Sequence, residues 1–266
     1  MIAWADSARG HLRARGKALE YQCLGPAPND SPTLVLLHEG LGCLALWRDF
    51  PARLQAATGL GVFVYSRQGY GHSDPANMPR PLDYMTREAV DVLPEVLDAI
   101  GFQQGVLIGH SDGATIAALH AGYQQDQRVT GVVLIAPHFF TESKGLAAIT
   151  SARQAFETGD LARKLGKYHR DAAHSFAGWC DSWLHPDFVA WNATDALDNI
   201  RVPILTVQGD ADPYGSLAQI MVVEDRAPGA VTQLVLEAVG HTPHLEQLED
   251  VVARIHEFIR KMNYNT

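Results

Sequence analysis

The chain has 266 residues, 47% of them hydrophobic and 19% charged, enough apolar material for one packed core and too little charge for a disordered chain. Its 21 Lys and Arg stand against 30 Asp and Glu, a formal net charge of -9, which argues against general attraction to nucleic acid or to an anionic lipid surface. Three widely spaced cysteines, Cys23, Cys43 and Cys180, form neither a disulfide framework nor a paired C-x-x-C zinc site, and they fit a reducing cytoplasm. Residues 1–16 carry Asp6, Arg9, His11, Arg13 and Arg15, which leaves no apolar core for a secretory signal. No later apolar run approaches the roughly 18 residues that span a membrane. The expectation is a cytoplasmic protein that acts on a small molecule, with no cofactor, metal, nucleic-acid or membrane partner.

In chain order, alternating residues at 11–15 and 18–24 flank a Gly16-Lys17 break and predict a β-hairpin, followed by a turn-rich loop over 26–32. Compact apolar runs at 33–37, 62–65, 106–108, 132–135, 204–207 and 234–236 predict six buried strands. Between them the patterns predict helices over 47–57, 87–100, 114–123, 217–227 and 245–262, the second kinked at Pro94, which lacks a backbone donor. From 141 to 199 no convincing strand occurs, and Trp179, Trp183 and Trp191 fall in a segment rich in Ala and His. This predicts a core over 1–140 and 200–266 with a helical cap inserted at 141–199. Strands alternating with helices point to an α/β protein with a mainly parallel sheet.

The strongest local motif is Gly109-His110-Ser111-Asp112-Gly113, between an apolar run and a helix-like segment. A serine in a sharp strand-to-helix turn projects above the sheet, and glycines on either side permit the tight backbone. Gly71-His72-Ser73-Asp74 repeats the tetrapeptide, but Pro75 replaces the closing glycine and no strand precedes it, so Ser73 reads as a loop residue. A serine hydroxyl is a weak nucleophile and needs a base, which in turn needs a carboxylate to fix its tautomer. His241, in Gly240-His241-Thr242-Pro243 between the last strand and the last helix, is the preferred base; His244 is its rival and fits better as a packing residue at the helix start. For the carboxylate, Asp212 is preferred to Asp210, although both lie in one loop after a strand and the spacing does not separate them. The His241/His244 pair lacks the Glu of H-E-x-x-H and further clustered ligands, so it does not read as a metal site.

The order Ser111, Asp212, His241, together with His38-Glu39-Gly40-Leu41-Gly42 and Ser66-Arg67-Gln68-Gly69-Tyr70-Gly71-His72-Ser73, resembles the α/β-hydrolase superfamily in its serine-nucleophile branch over nearly the whole chain. Within that branch the chain is similar to the biphenyl-hydrolase-like (valacyclovirase-type) esterases, which share a Ser-Asp-Gly elbow and a related Gly-Tyr-Gly-His-Ser loop. The resemblance implies an eight-stranded, mainly parallel sheet flanked by helices, with a helical cap. It also implies an oxyanion hole from the backbone amides of Gly40 and Asp112. The chain departs from the pattern at Glu39, Gln68 and Ala114, which bears on the substrate rather than on the reaction class. Epoxide hydrolases and haloalkane dehalogenases of this fold use Asp at the elbow, so Ser111 disfavours both.

The expected chemistry is cleavage of a small carboxylic ester through an acyl-enzyme on Ser111, with His241 as base and Asp212 orienting it. Glu39, His138, Phe139, Trp179 and Trp183 are candidates for the substrate pocket, and Glu39 reads equally well as a brace between loops. A carbon–carbon hydrolase acting on a vinylogous diketone and a non-catalytic small-molecule receptor are the alternatives.

Overall fold

A computed structural model describes residues 2–262. Met1 and residues 263–266, which the sequence reading assigned to the core, lie outside the described residues. Among the described residues there are eight strands: β1 (Arg9–Ala14), β2 (Lys17–Leu24), β3 (Thr33–Leu37), β4 (Gly61–Tyr65), β5 (Gly105–His110), β6 (Val129–Ile135), β7 (Ile204–Gly209) and β8 (Val231–Leu236). They form one sheet in the order β1-β2-β4-β3-β5-β6-β7-β8. The β1/β2 and β2/β4 pairs are antiparallel, and every pair from β4 to β8 is parallel.

The α-helices are α1 (Phe50–Thr58), α2 (Tyr84–Arg87), α3 (Leu93–Ile100), α4 (Asp112–Tyr123), α5 (Ser143–Thr158), α6 (Leu161–Leu165), α7 (Ala172–Trp183), α8 (Ala218–Arg226), α9 (Pro243–Glu246) and α10 (Leu248–Arg260). Alternation along the parallel strands sends side chains to both faces, and helices cover each face. Leu34, Leu36, Val62, Val64, Val106 and Ile108 meet Phe50 and Leu54 of α1 and Val251, Ile255 and Phe258 of α10. On the other face Val35, Leu37, Phe63, Leu107 and Leu134 meet α3, α4 and Val223 of α8. Burial of each such side chain contributes about 1.5–3 kcal/mol relative to exposure, so the central strands are the rigid frame that carries the loops.

Element boundaries depart from the sequence expectation where backbone conformation intervenes. The helix expected over 47–57 is a 3₁₀ turn (Leu44–Trp47) and then α1, separated by Arg48 with φ of +52°. The helix expected over 87–100 begins three residues earlier and passes through a π-helical turn, Glu88–Val92, before α3. Pro94 lies within this continuous helical run, directly after the π turn that accommodates its missing N–H. Side chains of α4 and the residue after it take up carbonyls around that turn: His120 Nδ1 lies 2.8 Å from the Ala89 oxygen, and Gln124 donates to Val90 at 3.1 Å. The helix expected over 245–262 is split into α9 and α10 at Gln247, whose φ and ψ of −129° and 56° are not helical. Strand β8 begins three residues before the apolar run that predicts it, because an edge strand tolerates Thr232 and Gln233.

Between β6 and β7 lie α5, α6, α7 and two 3₁₀ turns, Pro186–Phe188 and Thr194–Asn199, with one isolated bridge between Phe140 and Asn192. The second turn packs on α4, where a Cβ at Gly122 would come within 2.1 Å of the Ala196 oxygen. Among the described residues no helix is long and apolar enough to cross a membrane.

The chain runs outward from β3 to β4 and then returns to place β5 on the other side of β3. The loops leaving β3 and β5 therefore diverge at the carboxyl edge and leave a crevice there, the usual ligand position in such sheets. Helix α4 approaches β3 closely enough that a Cβ on Gly113 would lie 2.0 Å from the Leu37 oxygen, and one on Gly109 would lie 2.2 Å from the Gly113 oxygen. Gly113→Ala should therefore lower the unfolding free energy in urea by about 3 kcal/mol, the upper part of the range for overpacking; an unchanged midpoint would show that α4 can move away without cost.

Candidate active site

Ser111 links β5 to α4 with φ of +53° and ψ of −121°, a conformation that costs of order 1–3 kcal/mol for a residue with a Cβ. The turn is tied down because the Ser111 N–H donates to Ile135 on β6 at 2.8 Å, while its carbonyl accepts from Ala114 at 2.8 Å. Asp112 is the first residue of α4, so its N–H has no carbonyl one turn back within the helix.

The loop after β3 is braced from behind. His38 Nδ1 donates to the Glu39 carbonyl at 2.7 Å, and Nε2 accepts from the Arg67 N–H at 3.0 Å. Arg67, fully buried, donates through Nη2 to the carbonyls of His38 at 3.1 Å and Glu39 at 2.9 Å. With the Glu39 carbonyl held by His38 and Arg67, the trans Glu39–Gly40 peptide turns the Gly40 N–H the opposite way. Any side chain at Gly40 would collide with the Trp179 indole, at 2.2 Å from Cδ1.

Asp212 follows β7 and His241 follows β8. The Asp212 carboxylate is buried; Oδ2 accepts from His241 Nδ1 at 2.8 Å and from Gln208 Nε2 at 2.8 Å, and Oδ1 accepts from the Tyr214 N–H at 2.8 Å. A donor at Nδ1 leaves the neutral His241 ring with its lone pair on Nε2. Asp210 is otherwise engaged, accepting from the Ala238 N–H at 2.7 Å. His244 is buried and packs against Trp47, Phe50 and His110. Ser73 is buried in the β2–β4 region, donating to the Ser66 carbonyl at 2.7 Å and accepting from the Glu20 N–H at 2.9 Å.

A cavity of about 250 Å³ brings together Ser111, His241, Gly40, Asp112, Glu39, His138, Trp179 and Trp183. Phe139 does not reach it: the side chain is fully buried in the core, with its N–H on Gln219 at 2.7 Å and its carbonyl accepting from Ala193 at 2.7 Å. The next residue, Phe140, lines the cavity instead. Among the described residues, no group of three His, Cys, Asp or Glu could hold a metal ion.

Residues 34–255 match the model of the Alpha/beta hydrolase family. The chain belongs to that family. It is 31% identical over 130 residues to Epoxide hydrolase B of Mycobacterium tuberculosis, a match to 48% of this chain and 35% of that protein, so it spans about a third of that relative's length. It is 23% identical over 207 residues to Serine hydrolase BPHL of Homo sapiens, covering 75% of this chain and 69% of that one. Among solved structures, a thermophilic esterase from Thermogutta terrifontis superposes with a TM-score of 0.75 at 18% identity, covering 97% of this chain and 100% of the other, a likeness of fold.

Several residues of this α/β-hydrolase cavity escaped the sequence reading: His110, Glu142, Leu146, Ile149 and Tyr214. His110 and Tyr214 sit beside Ser111 and Asp212 in sequence, a signal that was available; Glu142, Leu146 and Ile149 arrive through the way α5 and the residue before it lie over the sheet. The Asp112 side chain is enclosed, with Oδ2 accepting from Tyr84 at 2.5 Å and Oδ1 from Trp183 Nε1 at 3.3 Å.

Burial alone would raise Asp212, but the His241 hydrogen bond and charge, with Tyr214 and Gln208, outweigh it and hold the carboxyl at about 2. Burial, then the nearby charge of His241, pushes His138 down to about 3. Burial likewise holds His244 well below its ordinary value. The unfolded chain protonates these histidines near 6.5, whereas the native state keeps them neutral, so their contribution is intact above that pH and is lost as the pH falls toward 3. Asp212 is ionised in the native state and adds a further loss as the pH falls from 3.8 toward 2. Urea midpoints should therefore drop on acidification from pH 7 to 4, and His244→Phe should flatten the slope; equal slopes in the two proteins would contradict the neutral, buried state of His244.

Proposed function

We propose that the protein is a serine hydrolase that cleaves a small, uncharged carboxylic ester through an acyl-enzyme. The observation that carries this reading is the 2.8 Å bond from His241 Nδ1 to Asp212, with Ser111, in its elbow, on the same cavity. The Ser111 oxygen attacks the ester carbon and its proton passes to His241 Nε2. The Gly40 and Asp112 N–H groups hold the oxyanion, each worth about 2.7–4 kcal/mol in related chemistry. Collapse breaks the bond to the alcohol, which leaves with the proton from His241. Water then attacks the acyl carbon, giving its proton to His241, which passes it to the Ser111 oxygen as the carbon–oxygen bond breaks and the acid departs.

Residues 141–199 act as a cap in this reading. Leu146 and Ile149 of α5 and Trp179 and Trp183 of α7 supply an apolar wall, and Trp179 lies over Gly40. His138 is neutral and adds a polar group to that wall. An epoxide-opening reading, suggested by the relative from Mycobacterium tuberculosis, needs an Asp nucleophile; Asp112 is the neighbouring acid, and both its oxygens are taken by Tyr84 and Trp183. Neither Lys nor Arg is among the residues lining the cavity, whereas Glu39 and Glu142 are. A ring-cleavage product bearing a carboxylate would meet no Lys or Arg there, which favours the ester over the carbon–carbon substrate.

A fluorophosphonate probe should label the protein at Ser111, and Ser111→Ala should abolish labelling and lower kcat on aryl esters by at least about 10⁴-fold. Labelling that survives the substitution would contradict the assignment, and an unlabelled wild type would favour a receptor. Among esters of similar size, 4-nitrophenyl butyrate should exceed a succinate half-ester in kcat/KM by at least about tenfold, a difference of about 1.4 kcal/mol. Equal rates would show that the acidic wall does not select.

A further inference from the structure

His110, the last residue of β5, is fully buried immediately before Ser111 and has both ring nitrogens engaged. Its Nε2 lies 2.7 Å from the carbonyl oxygen of His241. A carbonyl only accepts, so Nε2 carries a hydrogen and donates it. Its Nδ1 lies 3.3 Å from Oε2 of Glu39. With Nε2 already protonated, a neutral ring would turn the Nδ1 lone pair onto a carboxylate oxygen, two acceptors with no proton between them. One more proton therefore resides in the pair.

Placed on the ring, that proton lets Nδ1 donate to the carboxylate. Burial alone would raise the Glu39 carboxyl, but the hydrogen bond and charge of His110 outweigh it and hold Glu39 below the usual carboxylate range. The side chain is also fixed in place: it folds over Gly42, where a Cβ would fall 2.3 Å from Oε2. The other groups facing His110 are the rings of His241 at 5.0 Å, His244 at 4.6 Å and Trp47 at 6.3 Å, with His138 beyond His241 at 5.6 Å from that ring. Asp212 is bonded to the Nδ1 edge of His241. Glu39 is the carboxylate in contact with His110.

We propose that Glu39 and His110 form a second carboxylate–imidazolium couple that positions His241, Glu39 keeping His110 doubly protonated and His110 holding the backbone of the base residue against the strand that carries Ser111. The inference rests on the serine-hydrolase reading and assigns a use to Glu39, the residue that departs most from the family pattern in this loop. An unpaired imidazolium beside His241 would oppose the proton that His241 takes from Ser111; pairing it with Glu39 makes the couple neutral overall and removes that penalty. Both residues act through His241 and are positioning residues.

The test reads ring-nitrogen shifts of His110 near neutral pH in ¹⁵N-labelled protein, the signal being identified by its loss in His110→Phe. Both nitrogens should be protonated in the wild type, and only Nε2 in Glu39→Gln. His110→Phe, which loses the donor to His241, should lower kcat on an uncharged aryl ester on the order of ten- to a hundredfold with KM within about twofold. A bare Nδ1 in the wild type, or a wild-type kcat in His110→Phe, would overturn the proposal. Should His110→Phe fail to fold, the wild-type and Glu39→Gln spectra, assigned by elimination against the other histidine variants, decide it. Fluorophosphonate labelling run alongside separates the two claims: an unlabelled wild type defeats the serine reading, whereas a labelled wild type with a bare Nδ1 defeats only the couple.

Discussion

The close approach of α4 to the end of β3 is the constraint on which the rest of the site depends. It leaves no room for a side chain at Gly113, the start of α4 leaves none at Gly109 on β5, and Ser111 between them lies in a positive-φ turn. The same contact puts the first N–H groups of α4 beside the loop that follows β3. Ser111, the Asp112 N–H and the loop of Gly40 thus come together at the point where strand order reverses, although Gly40 is far from the other two in sequence. The strain at Ser111 is offset by bonds from β6 and α4 on either side of it.

Around that turn, polar side chains hold loops instead of filling space. Arg67 and His38 hold the peptide before Gly40; Gln208 and the Tyr214 N–H hold Asp212; His110 holds the carbonyl of His241. Glu246 closes the same loop from its other side, accepting from the N–H groups of Gly240 at 2.8 Å and Thr242 at 3.0 Å. Lys144, at the start of α5, donates to the Asp212 carbonyl at 2.6 Å, so the segment over the sheet is anchored to the loop that carries the acid. Each such bond contributes on the order of 1 kcal/mol, but their combined effect is geometric, since reacting groups must be placed to a fraction of an ångström.

Much of this was legible in the sequence because it is local. Parallel strands buried on both faces announce themselves as short β-branched runs, and a Gly-x-Ser-x-Gly turn needs glycines that no other residue replaces. The parts that were not legible depend on distant partners. Pro94 predicts a kink through its missing donor, but the π turn ahead of it, whose carbonyls meet His120 and Gln124, depends on helix α4 and is not announced locally. Phe139 and Phe140 are chemically alike, and which of the two faces the cavity depends on distant partners, Gln219 and Ala193, that hold the backbone on either side. The contact between Glu39 and His110 joins residues 71 positions apart, and nothing in either neighbourhood announces it.

Membership of the α/β-hydrolase family and the arrangement of Ser111, His241 and Asp212 are the grounds of the proposed acyl transfer through serine, and a cavity lining without Lys or Arg is the ground for the proposed preference for uncharged esters. The most direct test is a crystal structure of the protein after reaction with a phosphonate ester. The account predicts phosphorus bonded to the Ser111 oxygen, with one phosphoryl oxygen within hydrogen-bond distance of both the Gly40 and Asp112 amides and His241 beside the leaving-group side. Phosphorus attached to any other residue, or a phosphoryl oxygen turned away from both amides, would contradict it.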